Sequence, residues 1–241
     1  MNIDLDQLKR SASFLRESEK KINQTLLGIE SNWVAYDNGW ENGKYPYQKT
    51  FFDVIPPNQK FRDYLISCAL NDRDKLTAVD LGGSGSALFK DLDIFSKSLG
   101  VCLRDIRDLK LKIEDRDRNH DVLEANYLSS ATYSEIVERL GSKPFFVVSR
   151  VVGALEDLPN DRLNLLRIFE KIYLMLSENG IMLIQYDDPT NSLRYLPIED
   201  IEEFLKRLAD NNKQGLEIKI GKYGFFLKKN QSAPKTTFIK A

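Results

Sequence analysis

Asp80, Gly82, Gly83 and Gly85 lie within nine residues of an apolar run, in the segment LTAVDLGGSGSALF that spans Leu76 to Phe89. A short apolar strand that runs into an acid, a glycine-rich turn and an amphipathic helix can hold a nucleotide-like ligand at the strand end. Glycine lets the backbone turn sharply and approach a ligand without an intervening Cβ. The same pattern also serves where a strand and a helix need only pack tightly. A nucleoside further requires an acceptor for its ribose diol about 20 residues on. GVCLRDIRD supplies Asp105, 25 residues after Asp80, with Asp108 less well placed. A carboxylate can accept two hydrogen bonds from a vicinal diol, and Asp105 could equally cap the helix that follows.

Strands alternating with helices must position these groups. The pattern predicts strands at 76–81, 101–104, 120–124, 145–150 and 181–186, with helices at about 86–97, 106–116, 131–140 and 161–177. Gly180 would end the last of these, and a further helix would open at Pro197. LEIKI and YGFFLKK then read as two strands of a closing hairpin. The expected fold is α/β, a doubly wound, mostly parallel seven-stranded sheet with an antiparallel C-terminal hairpin strand and a helical N-terminal extension.

Before the sheet, Leu5, Leu8, Ala12, Leu15, Ile22, Leu26 and Ile29 recur on one stripe of a long amphipathic helix. Residues 31 to 55 gather Trp33, Tyr36, Trp40, Tyr45, Tyr47, Phe51 and Phe52 among Asn, Gly and Pro. These rings either line a pocket for a flat or cationic group or glue the extension to the sheet. The expected units are therefore an extension over 1–57, a sheet domain over 58–230 and a loose tail over 231–241.

Composition narrows the classes. Thirty-five Lys plus Arg against 36 Asp plus Glu leave a net charge of −1, so no overall field favours nucleic acid or an anionic membrane. MNIDLDQLKR has no signal-peptide core and no later run approaches a membrane span, so the expected address is the cytoplasm. Cys68 and Cys102, the two cysteines, sit in apolar segments and read as buried free thiols. With His120 the single histidine, a histidine-based metal centre is not expected. His120 itself reads as a solvated or locally bonded strand residue.

Taken in order, VDLGGSGSALF, CLRDIRD, DVLEANYL, FFVVSRVVGALEDLP and LLRIFEKIYLMLSENGIMLIQYDD resemble the five sequence blocks of the class I, Rossmann-like S-adenosylmethionine-dependent methyltransferases. The resemblance covers residues 76 to about 228, and the family's closing hairpin likewise inserts its last strand antiparallel. It implies S-adenosylmethionine as cofactor, with S-adenosylhomocysteine as product, and a small-molecule acceptor methylated by direct in-line transfer. It also implies roles. Asp80 would orient the glycine loop and the methionine amino group, Gly82, Gly83 and Gly85 would lie against the methionine and ribose, and Asp105 would take the ribose. Asn126 stands where the family has an aspartate beside the adenine amine, with Tyr127 next to it. Ser149 and Arg150 fall beside the sulfonium, Ser149 toward the cofactor and Arg150 toward the acceptor.

Candidates for a base are Tyr186 and Asp187, at the end of the fifth strand. Trp33, Tyr36, Trp40 and Tyr45 are the candidates for acceptor binding. The chain departs from the family's DxGxGxG pattern at Ser84 and Ser86, and it has no NPPY-like block at the fourth strand. The rival reading is a catalytically degenerate methyltransferase-fold binding protein. A nicotinamide site is disfavoured because GSGSAL lacks the third glycine and no Tyr-x-x-x-Lys pair follows.

Overall fold

The computed structural model describes residues 39–43, 46–57, 59–69, 76–127, 129–150, 162–185, 205–206, 210, 215–230 and 232–233. Its elements are α1 (Tyr47–Thr50), α2 (Phe61–Cys68), β1 (Thr77–Leu81), α3 (Ser86–Asp91), β2 (Lys97–Cys102), α4 (Leu109–Asp117) and β3 (His120–Glu124). These are followed by α5 (Ser130–Leu140), β4 (Phe146–Arg150), α6 (Arg162–Met175), β5 (Ile181–Gln185), β6 (Leu216–Ile220) and β7 (Gly224–Lys229). The seven strands form one sheet in the order β3-β2-β1-β4-β5-β7-β6. β1 to β5 pair in parallel, and β7 lies antiparallel between β5 and β6.

Central strands must be apolar on both faces, because helices cover both. β1 and β5 are buried along their whole length. Side-chain alternation sorts β1 between two cores. Val79 and Leu81 join Ile136, Leu140, Phe169 and Ile172 of α5 and α6. Ala78 points to the opposite face, with Leu65 of α2, Leu88 of α3 and the aromatic residues Trp40, Tyr47 and Phe51. The same parity turns Asp80 toward the aromatic segment.

α5 follows its apolar period, burying Thr132, Tyr133, Ile136 and Leu140, and ends at Gly141 with φ 75°. Near the end of α6, where carbonyls run out of amides further along the helix, the buried Lys229 donates through Nζ to the carbonyls of Tyr173 and Leu176. α4 inverts the usual rule. It buries Asp115 and exposes Leu109 and Ile113.

The largest boundary differences from the sequence reading lie between β1 and β2. The helix expected over 86–97 ends at Asp91, and the strand expected at 101–104 runs from Lys97 to Cys102. Leu92, Ile94 and Phe95 prolong a helical apolar pattern, yet Leu92 already leaves helical geometry at ψ 62°. Ser96 then donates its amide and its hydroxyl to Leu76 O, which brings the chain back to the sheet early. Cys68 and Cys102 are buried free thiols, as expected. Among the described residues no helix is long and apolar enough to cross a membrane.

Candidate functional site

The glycine loop turns directly off the carboxyl end of β1. Gly82 has φ 105° and donates its amide to Val101 O, while Gly85 has φ 71° and opens α3 by accepting from the Phe89 amide. Side chains are strained at both angles. Gly83 answers a different need, because a Cβ there would lie 2.4 Å from Asp80 Oδ2. The Asp80 carboxylate therefore sits directly beneath the loop.

Ser84 and Ser86 hold the loop from its other side. The Ser84 carbonyl lies over β2 where Gly100 has no side chain, and it accepts a hydrogen bond from His120 Nε2 at 2.8 Å. Since a carbonyl can only accept, Nε2 carries the proton, and Nδ1 accepts from the Ser98 hydroxyl at 2.9 Å. His120 is therefore a buried strut between β3, β2 and the loop, the bonded one of the two roles its sequence allows, and burial lowers its pKa. The Ser86 hydroxyl donates to Asp115 Oδ2 at 2.6 Å, joining α3 to α4.

Asp80 is 1% exposed and accepts from the Tyr47 hydroxyl at 2.8 Å through Oδ1. At the end of β4, level with Leu81, Ser149 is fully buried with the Tyr127 phenol beside it. Burial pushes the phenols of Tyr127 and Tyr133 well above their usual range, so both stay protonated hydroxyls. Asn126 accepts through its backbone carbonyl from the Thr132 hydroxyl and the Ser129 amide. The structure thus gathers Asp80, Gly82, Gly83, Gly85, Tyr127 and Ser149 at the carboxyl ends of β1 and β4. Arg150 closes β4, its backbone in register with Gln185.

Asp105 is held differently from a waiting diol acceptor. It lies in the loop beyond β2, and Asp108, not Asp105, caps α4 by accepting from the Leu111 amide. Asp105 Oδ1 accepts from Arg107 Nε at 2.9 Å and from the Arg107 amide at 3.1 Å. Its Oδ2 accepts from Arg107 Nη2 at 3.0 Å and pairs with Lys112 Nζ at 3.2 Å. An ionised carboxylate offers about four lone-pair positions, so the chain's own donors fill Asp105. The Asp105 amide in turn donates to Glu124 Oε1, at the end of β3.

Burial opposes ionisation of Asp105, but its bonds to Arg107 and Lys112 prevail and hold its pKa at about 2, below the ordinary 3.8. A depressed carboxylate stabilises the fold above its unfolded pKa, and that contribution is lost as pH falls through the folded value. In urea titrations from pH 5 downward, the wild type is expected to lose stability more steeply below about pH 4 than Asp105→Asn. Equal slopes would show that the Arg107 and Lys112 bonds do not bias ionisation.

Trp40 is 3% exposed and stacks on Phe61, with ring centroids 4.1 Å apart. It belongs to the core cluster on that face of the sheet, in keeping with the second of the two roles its sequence context allows. Tyr186, Asp187, Trp33, Tyr36 and Tyr45 lie outside the described residues. The sequence reading did not single out Tyr47 as a ligand of Asp80, nor did it find Arg107, Asp115 or the strut role of His120. For Asp115 the sequence signal points the opposite way, since the apolar spacing of Leu109 and Ile113 marks a different face of its helix as the buried one.

No family model matches the chain, and no curated protein matches it. Among solved structures, the mycinamycin pathway methyltransferase MycE, in complex with Mg, S-adenosylhomocysteine and mycinamycin VI, is 10% identical with a TM-score of 0.47. That match covers 96% of this chain and 59% of the other, so the chain spans about three fifths of that protein's length. The N-methyltransferase NodS from Bradyrhizobium japonicum is 11% identical over 71% of this chain and 95% of its own, with a TM-score of 0.43. An S-adenosylmethionine-dependent methyltransferase from Clostridium acetobutylicum is 13% identical over 76% and 98%, also with a TM-score of 0.43. With five parallel strands, a glycine loop after β1 and the last strand inserted antiparallel beside β5, the chain has the Rossmann-like methyltransferase fold.

Proposed function

We propose that this chain is an S-adenosylmethionine-dependent methyltransferase that acts on a small-molecule acceptor by direct in-line transfer. The observation that carries this reading is the glycine loop folded over the buried Asp80 at the end of β1, flanked by β2 and β4, where the strand order of the sheet switches direction. Ligands of open α/β sheets bind at such a point.

The loop fits the methionine half of the cofactor. Asp80 supplies a negative group, the backbone at Gly82, Gly83 and Gly85 is free of side chains, and the Tyr127 and Ser149 hydroxyls lie at the end of β4. At the ribose end Asp105 already has its donors. Lys112 is the one on an exposed stem, 43% accessible, so a diol enters there by displacing the Lys112 ammonium. Asn126 would face the adenine. The cofactor supplies an electrophilic methyl group on a sulfonium, and the protein's task is to align the acceptor and exclude water. Tyr186 and Asp187 are the proposed base candidates. Trp33, Tyr36, Tyr45 and Arg150 are proposed to bind the acceptor, with residues 1–57 serving as its cap.

Isothermal titration with S-adenosylmethionine and S-adenosylhomocysteine tests the reading. Binding is expected, at least about tenfold weaker in Asp80→Ala because a charged hydrogen-bonding group is lost. Turnover on an acceptor panel should disappear in Gly82→Arg, which forces a side chain into φ 105°. No binding at millimolar ligand would sink the proposal. The filled acceptor positions of Asp105 favour one rival, a methyltransferase-fold binding protein without turnover. Turnover that depends on Asp80 would remove it.

A further inference from the structure

Asp80 is the acid on which the proposed function most depends, and its carboxylate has two separate tasks. Oδ2 lies under Gly83, and Oδ1 accepts from Tyr47. The terminal torsion of an aspartate is broad and roughly two-fold, so the carboxylate plane is not fixed by its own rotamer. A second group has to hold it. Tyr47 is 2% exposed and donates at 2.8 Å to a carboxylate that is itself 1% exposed, a charge-assisted bond shielded from water.

Tyr47 is in turn held by a clasped segment. Its amide donates to Gly39 O, and the amide of Gln48 donates to Trp40 O. Its ring lies 6.2 Å from that of Phe51 at an interplanar angle of 15°. Phe51 fits against β7 at Gly224, where a Cβ would come within 2.6 Å of its ring. Asp53 then accepts from the Lys222 amide at 2.7 Å, anchoring the segment to the turn between β6 and β7. The strap thus runs from the carboxyl end of β1 to the amino end of the antiparallel β7. Its fixed path delivers the phenol to Asp80.

We propose that Tyr47 is a positioning residue that locks the Asp80 carboxylate in its cofactor-binding orientation. This role rests on reading the site as a cofactor site. Tyr47→Phe removes the hydroxyl and keeps the buried ring, so it separates orientation from packing. Titrated with S-adenosylhomocysteine, Tyr47→Phe should bind about tenfold more weakly than the wild type, the scale of one hydrogen bond to a charged group. In an Asp80→Asn background the same change should cost less than about twofold, because the group it orients has lost its charge. A thermal double-mutant cycle on the ligand-free protein should show the same non-additivity.

Additive losses in both cycles would assign Tyr47 to packing and overturn the proposal. S-adenosylhomocysteine bound equally well by wild type and Tyr47→Phe would overturn the positioning role alone. A wild type that binds no S-adenosylhomocysteine would overturn the cofactor reading, and this role with it.

Discussion

Asp115→Ala is expected to destabilise the protein by about 3–5 kcal/mol, the range seen when a buried charge loses its partner. Asp115 is fully buried and accepts from the Ser86 hydroxyl, from Arg107 Nη1 at 2.7 Å and from Arg118 Nη2. The three donors come from α3, from the loop after β2 and from the end of α4. Arg118 is 31% exposed and can turn to water, but Arg107 is 6% exposed and cannot. Truncation therefore strands one edge of a buried guanidinium and the Ser86 hydroxyl together. For a chain of this length the loss corresponds to a fall in melting temperature of about 10 °C. Asp115→Asn keeps the volume and one acceptor, and should lose less. Melting curves for both variants within about 2 °C of wild type would mean that this knot does not hold α4.

The same knot shows where the sequence could be read and where it could not. Strand β3 falls where it is expected, at 120–124. Asp80 and the glycine loop fall together because their spacing is local. Asp105 was placed correctly near the end of β2, but its saturation depends on where the guanidinium two residues later folds back, which spacing does not set. Ser84 and Ser86, read as departures from a glycine pattern, turn out to have positive work. One presents its carbonyl to His120, and the other fastens α3 to Asp115.

α4 was misleading for a physical reason. Hydrophobic periodicity assumes that the apolar face is the buried one, whereas this helix is anchored by an acid and leaves Leu109 75% exposed. Tyr47 was legible as an aromatic of an aromatic segment. Its partner was not, since 33 residues separate it from Asp80 and only the folded strap brings them together.

Gly100→Ala should have the largest effect on ligand binding from a residue that touches no ligand. Gly100 has no left-handed backbone requirement; it is glycine because the Ser84 carbonyl crosses β2 at this point. A Cβ on Gly100 would lie 1.9 Å from Ser84 O, 2.4 Å from Ser84 C and 2.9 Å from Gly83 O. All three are backbone atoms, so no side-chain rotation relieves the clash, and the loop itself must lift. Restricting the unfolded chain by Gly→Ala is worth about 0.4–1 kcal/mol in the opposite direction. Overpacking typically costs about 1–3 kcal/mol, and here it falls on a carbonyl that His120 also holds, so the clash should prevail. Lifting the loop moves Gly82 and Gly83 off Asp80 and lengthens the His120 bond. With the cofactor proposed for this loop, S-adenosylhomocysteine affinity should then fall by more than tenfold, about 1.4 kcal/mol or more. Hydrogen exchange at the amides from Ser84 to Leu88 should quicken in the ligand-free protein, which reads the loop independently of any cofactor. Unchanged exchange together with unchanged affinity would mean that the loop does not rest on β2, and the account of Ser84 and His120 as its supports would fall.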